Sequence, residues 1–319
     1  MEPIASPRIP PVVALGFAIL AVSTASILIR FAQQDAPSLV IAAYRMVLAV
    51  MILAPSAVTT HHKEITSFSF KTLLLALFSG IFLALHFASW ITSLEYTTVA
   101  SSVVLVNTAP LWVALISPLF LNESLSRYAL AGLVLAFAGG ILIGLSDACT
   151  FHGFQLTCPD LSQLLQAGSF TGNLLALFGA FCAAGYIMIG RKLRPGMSLV
   201  GYTFVVYGMA ALGLVIMVLA AHQPVWGYPA RTYLWFLLLA LVPQLLGHST
   251  YNWALRYVSA TFVSIGLLGE PIGSTILAVI FLNEIPSAGK IFGAILILTG
   301  IYFASRSEPR ASRREASLT

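Results

Sequence analysis

Ten stretches of about twenty mostly apolar residues follow one another with little chain between them, near 12–31, 37–58, 72–93, 98–121, 127–145, 172–190, 198–221, 232–255, 258–282 and 287–305. A helix rises about 1.5 Å per residue, so a hydrocarbon layer of about 30 Å takes roughly 20 residues to cross. Inside that layer every backbone N–H and C=O needs a partner from the protein itself, which leaves helices or a closed barrel. Barrel strands alternate apolar and polar residues; these stretches do not. The pattern predicts an all-α membrane protein with ten transmembrane helices. A charged fraction of 8%, against roughly 25% in soluble domains, excludes a soluble reading. The first stretch is too long for a signal-peptide core and is followed by further spans, so it is expected to remain as an anchor.

The chain also repeats itself. Leu94, Tyr96, Pro110, Phe120, Leu121, Asn122, Glu123, Ser126, Gly132, Leu135 and Gly139 return 161 residues later as Leu255, Tyr257, Pro271, Phe281, Leu282, Asn283, Glu284, Ser287, Gly293, Leu296 and Gly300. Each copy holds five spans. Five is odd, so the second copy enters the membrane from the opposite side, which makes the repeat inverted. Charge supports an orientation. With both termini cytoplasmic, Arg8, Lys63, Lys71, Arg127, Arg191, Lys192, Arg194, Arg256, Arg306, Arg310, Arg313 and Arg314 lie inside, and only Arg30, Arg231 and Lys290 outside. The division that follows is a cytoplasmic N-terminus (1–11), a first repeat (12–145), an extracytoplasmic loop (146–171), a second repeat (172–305) and a basic cytoplasmic tail (306–319). The expected location is the plasma or inner membrane. The net charge of +5 is a topology signal and implies no nucleic-acid partner. Its tail is a topology anchor that could also meet anionic lipid headgroups.

The segments His86-Phe87-Ala88-Ser89-Trp90 and Leu94 to Ser101, then Pro110, Leu121-Asn122-Glu123, Gly132 and Gly139, resemble the EamA repeat of the drug/metabolite transporter superfamily. Asn252 to Thr261, Glu270-Pro271, Leu282-Asn283-Glu284, Gly293 and Gly300 resemble it again. The resemblance covers roughly 12–145 and 172–305. It implies ten helices in a five-plus-five inverted repeat and a secondary transporter, with many similar proteins exporting amino acids, other metabolites or drugs. Two departures are visible. The 146–171 loop is longer than usual, and Asn122 and Asn283 stand where the family usually has Gly.

Charge at mid-membrane costs about 2.5–3.5 kcal/mol on insertion scales, so deep polar residues need a reason. Arg45 in span two and Glu270 in span nine carry opposite charge, and pairing would lower the cost of both. Each reads either as part of a solute-linked or proton-linked switch or as half of a helix-locking ion pair. Glu270 is the coupling candidate, since a carboxylate titrates and Arg does not. His86 and Trp90 share a helix face, and His248, Asn252 and Arg256 form a stripe at spacings of four. Asn107 precedes Pro110, and Pro271 repeats that proline. A proline removes one backbone donor and frees the carbonyl four residues back, here those of Val106 and Leu267. Both prolines are expected to kink their spans and line a pathway. Tyr44, Trp90 and Tyr207 could stack on an amphipathic solute or simply pack. Tyr44, Arg45, His86, Trp90, Asn107, Tyr207, His248, Asn252 and Glu270 are the expected solute-binding set.

Spans five and ten read as supports. Gly132, Ala136, Gly140 and Gly144 make a small-residue ridge, with Gly289 and Gly293 as a second. Such ridges allow close helix contact or a homodimer face. Cys182 reads as packing. Cys149 and Cys158 share the outer loop, with a disulfide and free thiols both open. No metal or cofactor is implied: no ligand spacing, Walker lysine motif, His-Glu-x-x-His or Gly-x-Ser-x-Gly occurs. The expected activity is alternating-access transport of a small organic solute, such as an amino acid or a drug-like compound, coupled to protons, another ion or nothing. A passive channel or a membrane scaffold or receptor is the alternative, and no enzyme is expected.

Overall fold

The computed structural model describes residues 9–121, 127–152, 155–157, 163, 167–257 and 269–305. Its helices are α1 (Pro11–Ser23), α2 (Ala25–Ala32), α3 (Ser38–Thr59), α4 (His62–Thr66), α5 (Phe70–Tyr96), α6 (Val99–Val106), α7 (Ala109–Leu121), α8 (Arg127–Ala148), α9 (Gly168–Leu193), α10 (Leu199–Ala220), α11 (Ala230–Leu239), α12 (Ser249–Ala254), α13 (Gly269–Leu282) and α14 (Ala288–Ser305). Among the described residues seven helices are long and apolar enough to cross a membrane, and three shorter apolar helices accompany them. Phe17, Phe137, Ile280 and Phe292 are exposed, as a lipid-facing surface requires. One small correction to the all-helical expectation lies in the long loop. Thr150–His152 and Gln155–Thr157 form a two-stranded hairpin, with Phe151 opposite Leu156. Cys149 beside it is buried and disulfide-bonded, whereas Cys182 is free. Cys158, Asn122 and Glu123 lie outside the described residues.

Side-chain contacts sort the helix ends. Gln33 and Ser38 bond the Ile91 carbonyl, Asp35 bonds Arg231, and Thr97 bonds Asp147. At the far end Glu64 accepts the Ser198 N–H. The chain therefore runs up and down between a Glu284 end and an Arg194 end.

The repeat is visible in which residues touch. A Cβ on Gly139 would stand 2.5 Å from the Gly293 carbonyl oxygen and 3.1 Å from the Ile297 nitrogen; one on Gly300 would stand 2.5 Å from the Gly132 oxygen and 3.0 Å from the Ala136 nitrogen. Moving each residue of the first set by 161 gives the second set. So α8 and α14 cross antiparallel, backbone to backbone, in a contact that maps onto itself. The same exchange recurs elsewhere: Gly179 lies against the His86 carbonyl, and their counterparts Ala18 and Gly247 meet as well. Side-chain-free positions are needed here because the backbones themselves touch.

The ridge of spans five and ten divides. Gly132 and Ala136 meet α14, but a Cβ on Gly144 would meet nothing within 4 Å. Gly289 packs on Ser146, and Gly293 on Gly139 and Ile143. Part of each face expected as a support or homodimer surface thus meets the other within one chain, while Gly144 stays clear of that contact.

Three local departures shape the centre. Span four is broken: α6 ends at Asn107, and Pro110 sits in the first turn of α7, where a missing N–H leaves no helical bond unmade. The expected kink in a continuous helix is a break instead. Pro271 lies in α13, and Leu267 lies outside the described residues. Span eight widens into a π-helix over Ala240–His248 around Pro243 before tightening into α12. The expected stripe ends at Asn252, because the helix stops at Ala254 and Arg256 turns out to the exposed surface.

Candidate functional site

A cavity of about 70 Å³ opens among α5, α6, α7, α9, the π-helix, α12 and α13, lined by His86, Trp90, Asn107, Tyr186, His248, Tyr251, Asn252 and Glu270 with apolar neighbours. Both repeats contribute. The break in span four brings Asn107 to the wall, and its side chain donates to the Val103 carbonyl at 2.9 Å. The π-helix turns His248 toward His86, with ring centres 6.5 Å apart. His86 Nδ1 lies 2.9 Å from the Gly179 carbonyl, a bond in which the ring donates and so keeps its proton on Nδ1. The His86 ring also stacks on Trp90 at 5.9 Å, with 13° between planes.

Six of the nine expected solute-binding residues therefore meet at the cavity: His86, Trp90, Asn107, His248, Asn252 and Glu270. Tyr207 and Arg45 lie one layer behind. Tyr44 is elsewhere; its hydroxyl donates to the Val225 carbonyl at 2.7 Å and its ring stacks 4.5 Å from Phe236. Of its two readings, stacking on a solute or packing, this placement shows packing, in an aromatic cluster with Tyr233 and Phe236.

Arg45 is fully buried and forms no ion pair with Glu270. Its Nε donates to Gln244 Oε1 at 2.8 Å, and its guanidinium carbon sits 4.1 Å from the centre of the Phe87 ring. Of the two readings for Arg45 and Glu270, the direct ion pair is not formed; the guanidinium is held by Gln244 and the Phe87 face instead. Nη1 and Nη2 have no hydrogen-bond partner, and neither do Gln244 Nε2, Trp90 Nε1 and Tyr251 OH.

From Arg45 a polar chain crosses the bundle. The Ser249 hydroxyl donates to the Gln244 carbonyl and lies 3.3 Å from Tyr207 OH. Asn252 Nδ2 donates to Tyr207 at 3.3 Å and to Tyr186 at 2.6 Å, and the Tyr186 hydroxyl donates back to Asn252 Oδ1 at 2.9 Å. Arg194 closes the chain: its Nε donates to the Asn252 carbonyl at 2.9 Å and another N–H to the Met197 carbonyl. Charge asymmetry places Arg194 in a surface connection; the structure buries it to 1% exposure. Gln244, Tyr186 and Tyr251 were not among the expected residues. Gln244 carried a signal, since it extends the stripe of His248 and Asn252 one turn backward.

The three ion pairs among the described residues all lie at the Glu284 end: Arg30–Glu284 at 2.6 Å, Lys290–Asp147 at 2.6 Å and Arg231–Asp35 at 2.8 Å. Hydrogen bonds from Arg231 and then Thr232 hold the Asp35 carboxyl below its ordinary range.

A model of the EamA-like transporter family matches residues 11–145 and again 170–306. The chain belongs to this family. It is therefore a multi-pass membrane protein of the drug/metabolite transporter type. An uncharacterised transporter of Archaeoglobus fulgidus is 25% identical over 237 residues, covering 72% of this chain and 74% of its own. The pseudopaline exporter of Pseudomonas aeruginosa is 26% identical over 230 residues, with the same coverage. A solved crystal structure matches with a TM-score of 0.62 at 18% identity, over 96% of this chain and 98% of that one, which shows a shared fold.

Proposed function

We propose that this EamA-like transporter is a secondary exporter that moves a small organic metabolite, such as an amino acid or related solute, or a drug-like compound, by alternating access of its two inverted repeats. The observation that carries the reading is the cavity between the repeats, where His86, Trp90, Asn107, His248, Asn252 and Glu270 converge. Buried polar groups in membrane spans are kept where they face a solute path or each other. The export direction draws on the relative that exports pseudopaline. In this reading both termini are cytoplasmic, which the asymmetry of Lys and Arg between the connections supports.

Glu270 is the acid on the cavity wall and the group we assign to ion coupling. Arg45 and Tyr207 act from the layer behind. Counterflow in proteoliposomes tests the carrier reading: an excess of unlabelled solute inside accelerates uptake of its labelled form. Flux without saturation or trans-stimulation sinks it in favour of a channel. Solutes enter this assay after a thermal-shift screen of the purified protein against amino acids, nucleosides and organic cations.

A further inference from the structure

Glu270 is the only Asp, Glu, Lys or Arg among the described residues of the cavity wall. The 161-residue offset keeps that charge single: the copy of Glu270 is Ala109, which lines the same cavity. Arg45 stands one layer behind, with the Phe87 ring against its guanidinium. Coulomb attraction falls with distance, so an occupant touching the wall is governed by the carboxylate.

Neutral groups on the wall add to the same preference. Asn107 donates Nδ2 to the Val103 carbonyl at 2.9 Å, and its side chain also hydrogen-bonds Glu270. An amide that gives away its N–H groups keeps Oδ1 as an acceptor. Pro110 has no N–H to give to the carbonyl of Val106, and Val106 is itself on the wall. α6 ends at Val106, and the carbonyls at a helix C-terminus favour a cation. His86 gives its Nδ1 proton to the Gly179 carbonyl, which leaves Nε2 with a lone pair. Donors on the wall are mostly committed. The Tyr186 hydroxyl donates to Asn252, and Asn252 Nδ2 donates to Tyr186 and Tyr207. Trp90 Nε1 and Tyr251 OH lack partners, but both atoms are enclosed and face no open space. His248 offers one donor and one acceptor in its neutral form. One negative charge, spare acceptors and aromatic rings, which attract cations through their faces, therefore meet at one place.

We propose that the cavity seats the primary ammonium group of an organic solute, with its three N–H groups shared among Glu270, Asn107 Oδ1 and the Val106 carbonyl. The hydrocarbon part of the solute then lies against Ala183, Ile187 and Leu255, the apolar side of the same wall. This assignment rests on the transport reading and narrows its solute class to amines.

Carbodiimide labelling tests it without measuring flux. Dicyclohexylcarbodiimide enters apolar surroundings and attaches to a protonated carboxyl, so a cation seated on Glu270 protects it. Full-length protein in nanodiscs, in potassium buffer at fixed pH, is labelled alone or with n-butylammonium, n-butanol, butyrate, tetramethylammonium or sodium. Mass spectrometry of the peptide bearing Glu270 gives the rate, with the exposed Glu95 as reference. Butylammonium is expected to slow labelling of Glu270 severalfold and saturably, with Glu95 unaffected. Butanol and butyrate are expected to have no effect. Tetramethylammonium, which has no N–H, is expected to need about tenfold more for the same protection, the loss of charge-assisted hydrogen bonds. Asn107→Ala is expected to raise the half-protecting butylammonium concentration about tenfold; an unchanged value overturns the site. If that variant does not fold, the wild-type series decides alone. Protection by butyrate, equal protection by tetramethylammonium, protection by sodium but not by the amine, or no protection overturns the proposal. If the reagent does not reach Glu270, thermal unfolding decides: butylammonium is expected to raise the midpoint of the wild type and not of Glu270→Gln, and a rise in both or in neither overturns it. Binding is read without transport, so failure here and failure of counterflow are separate results.

Discussion

At the scale of single residues, Arg45 is the position where stability and function should part company. Its charge is buried without an ion pair, and two of its nitrogens have no partner. Replacing a buried, uncompensated charge by an apolar side chain of similar length is often neutral or stabilising. Arg45→Met is therefore expected to leave the melting temperature unchanged or raised while transport falls about tenfold or more, the loss of one charge-assisted contact. A stability loss of about 3 kcal/mol on chemical unfolding would instead make it a structural lock. Asn252→Ala should behave in the opposite way, since it strips side-chain partners from the Tyr186 and Tyr207 hydroxyls while leaving the backbone carbonyl that Arg194 bonds; the expected cost is about 1–3 kcal/mol. Glu270→Gln is expected to flatten the pH profile of flux with folding retained, and an unchanged profile removes Glu270 from coupling. Asp35 gives a pH effect outside the spans. Its carboxyl titrates lower in the folded protein, so its contribution is complete above the unfolded value of about 4 and is lost as pH falls through the lowered one. Titrating the wild type and Arg231→Gln by carboxylate-resolved NMR checks this, with Asp35 expected to titrate higher in the variant.

Which of these residues the sequence exposed follows from chemistry. Charged and imidazole groups in an apolar span stand out, so the sequence singles out Arg45, Glu270, His86 and His248, the last three of which line the cavity. Tyrosine does not stand out, because membrane proteins use it for packing and interfaces alike. Hence the sequence does not single out Tyr186 and Tyr251, which line the cavity, from Tyr44, which lies in an aromatic cluster near Val225.

At the scale of elements, hydropathy marks where the described apolar helices run, but it is blind to hydrogen-bond pattern. The break at Asn107–Thr108 and the π-helix around Pro243 are changes of ladder rather than of polarity, and both place cavity residues. The helix contacts offer a sharper test. Gly139→Ala puts a Cβ 2.5 Å from the Gly293 carbonyl oxygen, so α8 and α14 must separate, with an expected cost of about 1–3 kcal/mol from overpacking. Gly144→Ala meets nothing within 4 Å and should be neutral or stabilising, by up to about 1 kcal/mol from helix propensity. Equal effects of the two substitutions in thermal unfolding would contradict the observed register.

At the scale of the whole molecule, the duplicated sequence and odd number of spans in each half foretold inversion, and the paired contacts of Gly139 with Gly293 and Gly300 with Gly132 carry it in three dimensions. What the sequence could not convey was that part of the small-residue faces would meet within the chain. That contact is self-complementary, so nothing in it distinguishes one chain folded on itself from two half-length chains inserted in opposite senses. Residues 1–163 and 164–319 made as separate polypeptides in one cell are thus expected to co-purify, and Gly139→Ala to weaken their recovery as a pair. The peptide link between the halves would then serve mainly to fix a one-to-one ratio of two oppositely oriented partners.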